Sequence, residues 1–277
     1  MRKLPIDALP LFPVLDELLL ELLRSLTPAD WQRPTLAREW TVKDVAAHLL
    51  DGNLRTLSRL RDGYFGEAPA DTSYAGIVAY LNRLNADWVR AMRRMSPAVL
   101  TELLAQSGAE YAAHLATLDP WAPAAFAVAW AGETESLNWF HIARDYTEKW
   151  HHQQQIREAV GQPAPLMTRE LFQPFIETLM RGLPHACRQV RAPVGTRVQV
   201  EIGPVMGGVW ELTCTADAWQ LQPPSAAAPT AKVTLNPTDA WKLFTKGLSP
   251  AQAREGAQVQ GDEALATAAF RLVAVMG

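Results

Sequence analysis

The sequence from Glu133 to Ala159 contains neither proline nor glycine, and nearly all of its residues are compatible with an α-helix. The next helix-breaking residues are Gly161 and Pro163. The sequence therefore predicts one long helix over Glu133–Ala159. A helix of this length must pack against other parts of the chain, so it constrains the arrangement of everything around it.

The two sides of this predicted helix differ in character. At helical spacing, ionisable residues share one face; they are His141, Asp145, Glu148 and His152. The opposite face carries larger and more apolar side chains; they are Trp139, Ile142, Tyr146 and Trp150. A helix that offers contacts on both sides is typical of the centre of a helical bundle.

Glu148 and His152 lie one helical turn apart, so both side chains point in the same direction. A carboxylate and an imidazole at this spacing can bind one divalent metal ion. The same pair is also common as a simple hydrogen-bonded contact on a helix. A metal site needs at least one further ligand.

His48 is the candidate for that ligand. It lies on the apolar stripe of a second predicted helix, which Thr41 and Asp44 begin as a variant of the capping box. If this helix packs beside the long one, His48, Glu148 and His152 can supply three ligands and leave a coordination position open. The alternative is that His48 is an ordinary buried histidine and the three residues never meet.

Composition and charge restrict the remaining possibilities. Hydrophobic residues make up 48% and charged residues 20% of the 277 residues, as in ordinary globular proteins. The 26 basic and 29 acidic residues give a net charge of -3 without a long basic run, so we expect no nucleic-acid partner. Cys187 and Cys214 are far apart and form neither a disulfide framework nor a thiolate metal motif.

The N-terminus lacks the features of a signal peptide, and no apolar run reaches the roughly 18 residues that span a bilayer. We therefore expect a cytoplasmic protein without a membrane partner. Further apolar periodicities predict three more helices in the N-terminal half, and they cover 15–26, 71–95 and 98–118. Several long helices with short connections predict a bundle.

The pattern changes after Gly161. Residues 168–188 still favour helix, but four short β-type runs follow, at 196–203, 208–214, 219–223 and 231–236. They predict an antiparallel sheet with one covered face, and helices over 237–246 and 262–276 are expected to cover it. The sequence thus predicts two domains, a helical bundle over 1–163 and a small α+β domain over 164–277.

Two groups of residues resemble a known family. The runs W-T-V-K-D-V-A-A-H at 40–48 and R-D-Y-T-E-K-W-H-H-Q at 144–153 resemble the DinB-like metal-binding four-helix bundle, in particular the N-terminal domain of mycothiol-dependent maleylpyruvate isomerases. The runs K-V-T-L-N-P-T-D-A-W at 232–241 and V-Q-G-D-E-A-L-A at 259–266 resemble the sterol-carrier-protein-like domain that follows it. The resemblance covers nearly the whole chain.

The resemblance implies a divalent metal, most often zinc, held by His48, Glu148 and His152. It also implies a low-molecular-weight thiol such as mycothiol, whose thiolate adds to the cis double bond of a maleylpyruvate-like substrate and leaves after rotation, giving the trans isomer. Related proteins transfer thiols or hydrolyse substrates, so thiol transfer stays an alternative reaction. A different alternative is a metal-containing protein that binds a small apolar ligand without catalysis.

An anionic small-molecule substrate needs a cationic partner, and the resemblance implies an arginine. Arg83 is the first candidate, and Arg90 and Arg144 are the next. His151 is a less favoured ligand than His152, because it points about 100° away from the Glu148 face. His141 and Asp145 are interpreted either as groups that orient the metal ligands or as partners of each other.

Overall fold

In the computed structural model, which describes residues 2–37, 39–203 and 205–275, an N-terminal bundle of α-helices is followed by a mixed β-sheet with further helices. The bundle helices are α1 (Phe12–Ser25), α2 (Val42–Thr56), α3 (Tyr74–Met92), α4 (Pro97–Leu115) and α5 (Asn138–Ala159). The last turn of α2 continues as a π-helical segment, Leu57–Arg61. No helix within the described ranges is long and apolar enough to cross a membrane.

The N-terminus of α2 is fixed as the sequence predicts. The Thr41 side chain accepts a hydrogen bond from the Asp44 backbone N–H at 3.3 Å, and the Asp44 carboxylate accepts one from the Thr41 N–H at 3.1 Å. This reciprocal capping box satisfies two backbone donors that a helix end leaves free. It therefore sets the register of the helix that carries His48.

The helix predicted from Glu133 begins five residues later, at Asn138. The intervening residues instead bond to an earlier loop, in which the Ala124 N–H donates to the Ser136 carbonyl at 2.8 Å. The Asn138 N–H likewise donates to the Ala122 carbonyl at 3.0 Å. These long-range backbone hydrogen bonds outweigh the local preference for helix, which is only a weak prior.

The helices pack so that α2 contacts α3, α4 and α5, while α1 lies against α4 and α5. Val42, Val45, Leu50 and Leu100 are fully buried at these contacts. Each such side chain contributes about 1.5 to 3 kcal/mol through the loss of apolar surface to water. The packing of α2 beside α5 is the feature that positions the candidate site.

The C-terminal part contains a five-stranded sheet and several helices. The strands are β1 (Arg197–Ile202), β2 (Gly208–Cys214), β3 (Trp219–Gln222), β4 (Ala231–Leu235) and β5 (Gln258–Gly261). The helices are α6 (Arg169–Met180), α7 (Leu183–Ala186), α8 (Pro237–Phe244), α9 (Pro250–Gly256) and α10 (Glu263–Ala269). The helix predicted over 168–188 is therefore divided, and Met276 of the last predicted helix lies outside the described residues.

The predicted strands β1 to β4 form, but the prediction of an antiparallel sheet was wrong at one place. The strand order is β3-β2-β1-β4-β5, and β1 pairs with β4 in parallel. The connection from β3, at one edge of the sheet, passes to the far side of β1, and β4 then enters the sheet from the same end as β1. The strands β1 and β4 therefore run in the same direction. The edge strand β5 was not predicted from the sequence.

The hydrophobic core continues from the bundle into the α+β part. On α5, the Trp150 ring stacks on Phe175 of α6 with centroids 4.1 Å apart and lies edge-on to Trp241 of α8 at 6.0 Å. All three side chains are fully buried. The division into domains at residue 163 stays a prediction, and α5 belongs to the core on both sides of it.

Candidate metal centre

The packing of α2 against α5 brings His48, Glu148 and His152 together. One donor atom from each residue lies within 4.8 Å of the other two. His152 Nε2 is 3.5 Å from Glu148 Oε2, and the rings of His48 and His152 have centroids 4.6 Å apart. Zinc bonds of about 2.0 to 2.2 Å place tetrahedral donors roughly 3.4 Å apart, so small side-chain movements would complete this geometry.

His48 and His152 each have a ring nitrogen that is free to bind a metal ion. His152 Nδ1 donates a hydrogen bond to Gln155 Oε1 at 2.9 Å, so Nε2 carries the free lone pair on the side of Glu148. His48 Nδ1 is buried and has no hydrogen-bond partner among the described residues. A buried polar atom without a partner is costly, and a bound ion is one way to satisfy such a group.

The protonation states also fit a metal. Burial lowers the pKa of His48 well below its usual value, and the neighbouring His152 and Arg55 lower it further, so His48 is neutral. Burial raises the pKa of Glu148, but the proximity of His152, His151 and Arg144 outweighs it and lowers that pKa. A neutral imidazole and an ionised carboxylate are the forms that bind metal ions.

Aromatic rings enclose one side of the triad. The ring of Trp40, which precedes α2, lies 4.9 Å from the ring of His48 and 6.4 Å from that of His152. The His151 ring lies 3.9 Å from that of His152, but its Nδ1 donates to the Thr147 carbonyl at 2.8 Å. Burial and the neighbouring His152 lower the pKa of His151 to about 4. His151 is therefore a neutral side chain that lies beside His152 and whose Nδ1 is already hydrogen-bonded.

The opposite side of the triad is more open, since 38% of the Glu148 side chain is exposed. Three protein donors and an open side are the arrangement of a catalytic metal site rather than of a closed structural one. The arrangement can therefore hold a metal ion and admit a further ligand to it.

The two arginines predicted to act in catalysis lie in different surroundings. The side chain of Arg83 on α3 is 50% exposed and forms ion pairs with Glu67 and, at 3.8 Å, with Asp87. Arg144 on α5 is 16% exposed and lowers the pKa of Glu148, so it lies within electrostatic reach of the triad. Arg90, the remaining candidate, pairs with Asp87 at the surface.

His141 and Asp145 form a buried cluster with Arg144 and Tyr111. Arg144 Nη2 lies 2.6 Å from His141 Nδ1 and 3.0 Å from Asp145 Oδ1. The Tyr111 hydroxyl donates to Asp145 Oδ2 at 2.5 Å, and His141 Nε2 is 3.6 Å from the same oxygen. Of the two interpretations left open by the sequence, the structure favours the one in which His141 and Asp145 interact with each other.

The sequence patterns did not identify three residues that lie near the triad, Gln155, Trp40 and Arg55. Gln155 holds His152, and its spacing of three residues on the same helix was the available signal. Trp40 lies in a loop, where periodicity carries no information about contacts. Arg55 follows His48 by seven residues on α2, so it shares the face of His48. Its charge acts on both His48 and Glu148.

Residues 13–157 match the family model described as the mycothiol maleylpyruvate isomerase N-terminal domain. No curated protein sequence matches the chain at a significant level. Two similar solved structures are those of mycothiol-dependent maleylpyruvate isomerase and of a point mutant of it. Each has a TM-score of 0.51 and 12% sequence identity, over 91% of this chain and 91% of the other. At this identity the likeness shows a shared fold.

A structure described as UbiJ-SCP2, a ubiquinone synthesis protein, covers 35% of this chain and 94% of its own length at 17% identity, with a TM-score of 0.25. That similarity is too low to support an argument. The predicted family resemblance and the predicted fold class, a helical bundle followed by an α+β part, are both confirmed. The family model matches more than half of the chain and includes His48, Glu148 and His152. The chain therefore belongs to the mycothiol maleylpyruvate isomerase N-terminal domain family.

Proposed function

We propose that the protein is a metal- and thiol-dependent enzyme that isomerises a cis unsaturated acid related to maleylpyruvate. Thiol transfer to such a substrate is the alternative reaction of the same site. The observation that supports this proposal most directly is the convergence of His48, Glu148 and His152 around an open position, with their donor atoms within 4.8 Å. Two imidazoles and one carboxylate make zinc the first candidate among divalent metals.

Each residue of the triad has a defined task in this proposal. Glu148 supplies negative charge, and His48 and His152 supply neutral nitrogen donors. Gln155 holds the tautomer of His152 through the 2.9 Å hydrogen bond. A divalent metal bound here would favour the thiolate form of a thiol at neutral pH, and the thiolate is the nucleophilic form.

The reacting sulfur has to come from outside the chain. Burial raises the pKa of Cys187 to about 11, so this thiol is not a nucleophile at neutral pH. Cys214 is also buried, and its Sγ contacts the Ala192 carbonyl in the C-terminal part. A low-molecular-weight thiol such as mycothiol is therefore the proposed cofactor.

Arg83 and Arg144 are proposed to assist in binding the anionic substrate. Arg144 is the better placed of the two, because it is close enough to the triad to lower the pKa of Glu148. Its contacts with His141 and Asp145 fix the guanidinium group in place. The ion pair of Arg83 with Glu67 would have to open before Arg83 could bind a substrate.

Metal content measured by mass spectrometry tests the proposal. Tag-free protein should contain about one equivalent of zinc or a similar divalent ion, and the variants His48→Ala and His152→Ala should lose it. The matched control is His114→Ala, because His114 lies on α4 outside the triad. Absence of metal from all four proteins, even after incubation with excess zinc, would contradict the proposal.

Removal of the metal separates the enzyme from the competing hypothesis of a ligand-binding protein with a structural metal. A structural metal contributes directly to folding stability, whereas a catalytic one at an open site need not. We expect the chelator-treated protein to keep its fold, as judged by far-UV circular dichroism, and to lose thiol-dependent isomerase activity. Unfolding on chelation would favour the binding protein.

A further inference from the structure

A cavity of about 410 Å³ lies between α2, the π-helical segment that follows it, and α3. This volume falls in the range of sites for small organic molecules. The cavity combines a charged part with an apolar part. The charged part is formed by Asp51, Arg55 and Arg59, and Tyr80 borders it.

The charges of the cavity leave one cation without a carboxylate partner. Asp51 pairs with Arg55 at 2.9 Å, and the rim residues Glu67 and Asp87 pair with arginines of α3. Within the described part of the chain, Arg59 has no carboxylate at ion-pair distance, although its charge acts on Asp51, which is already paired with Arg55. Its Nη2 donates to the Tyr80 hydroxyl at 3.1 Å, and that hydroxyl in turn donates to the Glu67 carbonyl at 2.7 Å. Arg59 is therefore held in place by a neutral group and can accept an anion.

The remaining walls of the cavity are apolar or aromatic. They include Phe65, Leu84, Trp88 and Ala91. The Trp88 indole N–H donates to the Ala47 carbonyl at 2.8 Å, which fixes the ring against α2 next to His48. At the mouth, Tyr64 is 70% and Phe65 is 56% exposed. Large aromatic side chains left exposed beside a cavity are typical of a binding surface.

The face of α2 that carries His48 also carries Arg55, which lines the cavity. His48, Gly52 and Arg55 lie on this face, because spacings of four and seven residues return to the same side of a helix. A Cβ atom added to Gly52 would meet no atom within 4 Å, so the space directly beside this position, between His48 and Arg55 along the helix, is open. The charge of Arg55 acts on both His48 and Glu148, which agrees with this proximity.

We propose that this cavity binds the second reactant, and that this reactant is an acid that, unlike the small dianion maleylpyruvate, carries its carboxylate on an apolar or aromatic body. In this cavity Arg59, rather than Arg83 or Arg144, contacts the carboxylate. The apolar body lies against Phe65 and Trp88. A small, wholly polar dianion would leave the apolar walls in contact with water and gain nothing from them. This inference rests on the proposed function only for the statement that the reacting thiol is bound at the triad.

Calorimetric titration without any thiol tests the site, using cinnamate as the probe. Cinnamamide has the same body without the charge, and maleate has two carboxylates without the apolar body. We expect cinnamate to bind at least tenfold more tightly than either. Equal binding of cinnamate and cinnamamide, tighter binding of maleate, or no detectable binding of cinnamate would overturn the proposal.

Two variants test whether Arg59 binds the carboxylate of cinnamate. Arg59→Gln should weaken cinnamate binding at least tenfold, and Arg59→Lys should restore part of it. The matched control is Arg61→Gln, because Arg61 belongs to the same π-helical segment but pairs with Asp62 and Glu110. Equal affinities of Arg59→Gln and Arg61→Gln would contradict the assignment.

The same titration on His152→Ala separates this proposal from the metal proposal. Since Arg59 and the apolar walls do not depend on His152, we expect cinnamate affinity to change less than threefold in this variant. Loss of metal without loss of cinnamate binding would support a cavity that acts independently of the metal. If neither protein contains metal and both bind cinnamate, the cavity proposal stands and the metal proposal fails.

Discussion

His152 Nδ1 lies 2.9 Å from Gln155 Oε1, one turn further along α5. The amide oxygen can only accept a hydrogen bond, so the proton of the neutral imidazole is on Nδ1 and the lone pair is on Nε2. This nitrogen is 3.5 Å from Glu148 Oε2. Gln155 thus keeps His152 in the tautomer and orientation that a metal ligand requires.

Substitution of Gln155 should weaken metal binding without unfolding the protein. Loss of a hydrogen bond to a metal-ligating histidine reduces metal affinity by about 10- to 100-fold. We expect this loss in Gln155→Ala, measured by competition with a chromophoric chelator. The control is Gln154→Ala, because the Gln154 amide donates to the Pro163 carbonyl instead. If the two variants bind zinc equally well, Gln155 does not position His152.

Substitution of Gly52 should separate stability from function. Glycine inside a helix costs roughly 0.5 to 1 kcal/mol relative to alanine, and a methyl group at Gly52 meets no protein atom within 4 Å. Gly52→Ala should therefore raise the free energy of unfolding by about that amount. If the open space receives a reactant, KM for that reactant should rise in the same variant. Greater stability with unchanged kinetics would show that this space is not used.

Gly63→Ala provides the contrast when the free energy of unfolding of both variants is measured in urea. Gly63 also has open space around an added Cβ, but its φ of 69° is unfavourable for alanine. We expect Gly63→Ala to lower the free energy of unfolding, whereas Gly52→Ala raises it. An equal change in both variants would contradict the explanation given for Gly52.

The buried Asp145 should make stability depend on pH through Tyr111. Burial opposes ionisation of Asp145, but His141, Arg144 and the Tyr111 hydroxyl outweigh it and lower the pKa of the carboxyl. A lowered pKa in the folded state means that the stabilisation is complete above the unfolded value of about 3.9 and is lost as the pH falls through the folded value.

Tyr111→Phe removes one of the hydrogen bonds that hold the charged form. At pH 7 we expect a loss of about 1 to 3 kcal/mol in the free energy of unfolding, because the acceptor is a buried charged group. The difference between the variant and the original protein should shrink as the pH falls below about 3.9 and through the lowered pKa of Asp145, because protonation removes the charge. Urea unfolding at several pH values measures this, and a difference independent of pH would contradict it.

Substitution of Trp241 should disturb α5 as well as the C-terminal part. Trp241 is fully buried and contacts Trp150 of α5, so Trp241→Ala should cost about 3 to 5 kcal/mol. We expect hydrogen exchange to become faster in α5 as well as in α8. Tyr64→Ala is the control, because Tyr64 is exposed and far from this contact along the chain. Faster exchange confined to α8 would show that the two parts unfold separately.

Local patterns predicted much of the fold and placed two of the three candidate ligands, Glu148 and His152, on one face of a helix. The face shared by Glu148 and His152 follows from helical periodicity, and the capping box of Thr41 and Asp44 marks the start of α2. Whether His48 lies beside this face depends on how α2 packs against α5, which periodicity does not determine. The family resemblance supplied that step.

Other features depend on contacts between distant parts of the chain. The late start of α5 results from backbone hydrogen bonds to residues near Ala122. The parallel pairing of β1 with β4 results from a crossover connection that the hydrophobic patterns of the strands do not predict. Arg59 lies beyond the regular part of α2, and only the structure shows that Tyr80 holds it in a cavity.

Because α5 packs against both the bundle and the C-terminal part, its final position depends on residues that are synthesised after it. Glu148 and His152 leave the ribosome well before Phe175 and Trp241, whose rings cover Trp150 on the same helix. Until those rings arrive, a large aromatic surface of α5 stays exposed, and the helix lacks the support that fixes its position. Glu148 and His152 therefore reach their final geometry late, and a nascent chain interrupted before Trp241 should be poorly prepared to bind the proposed metal ion.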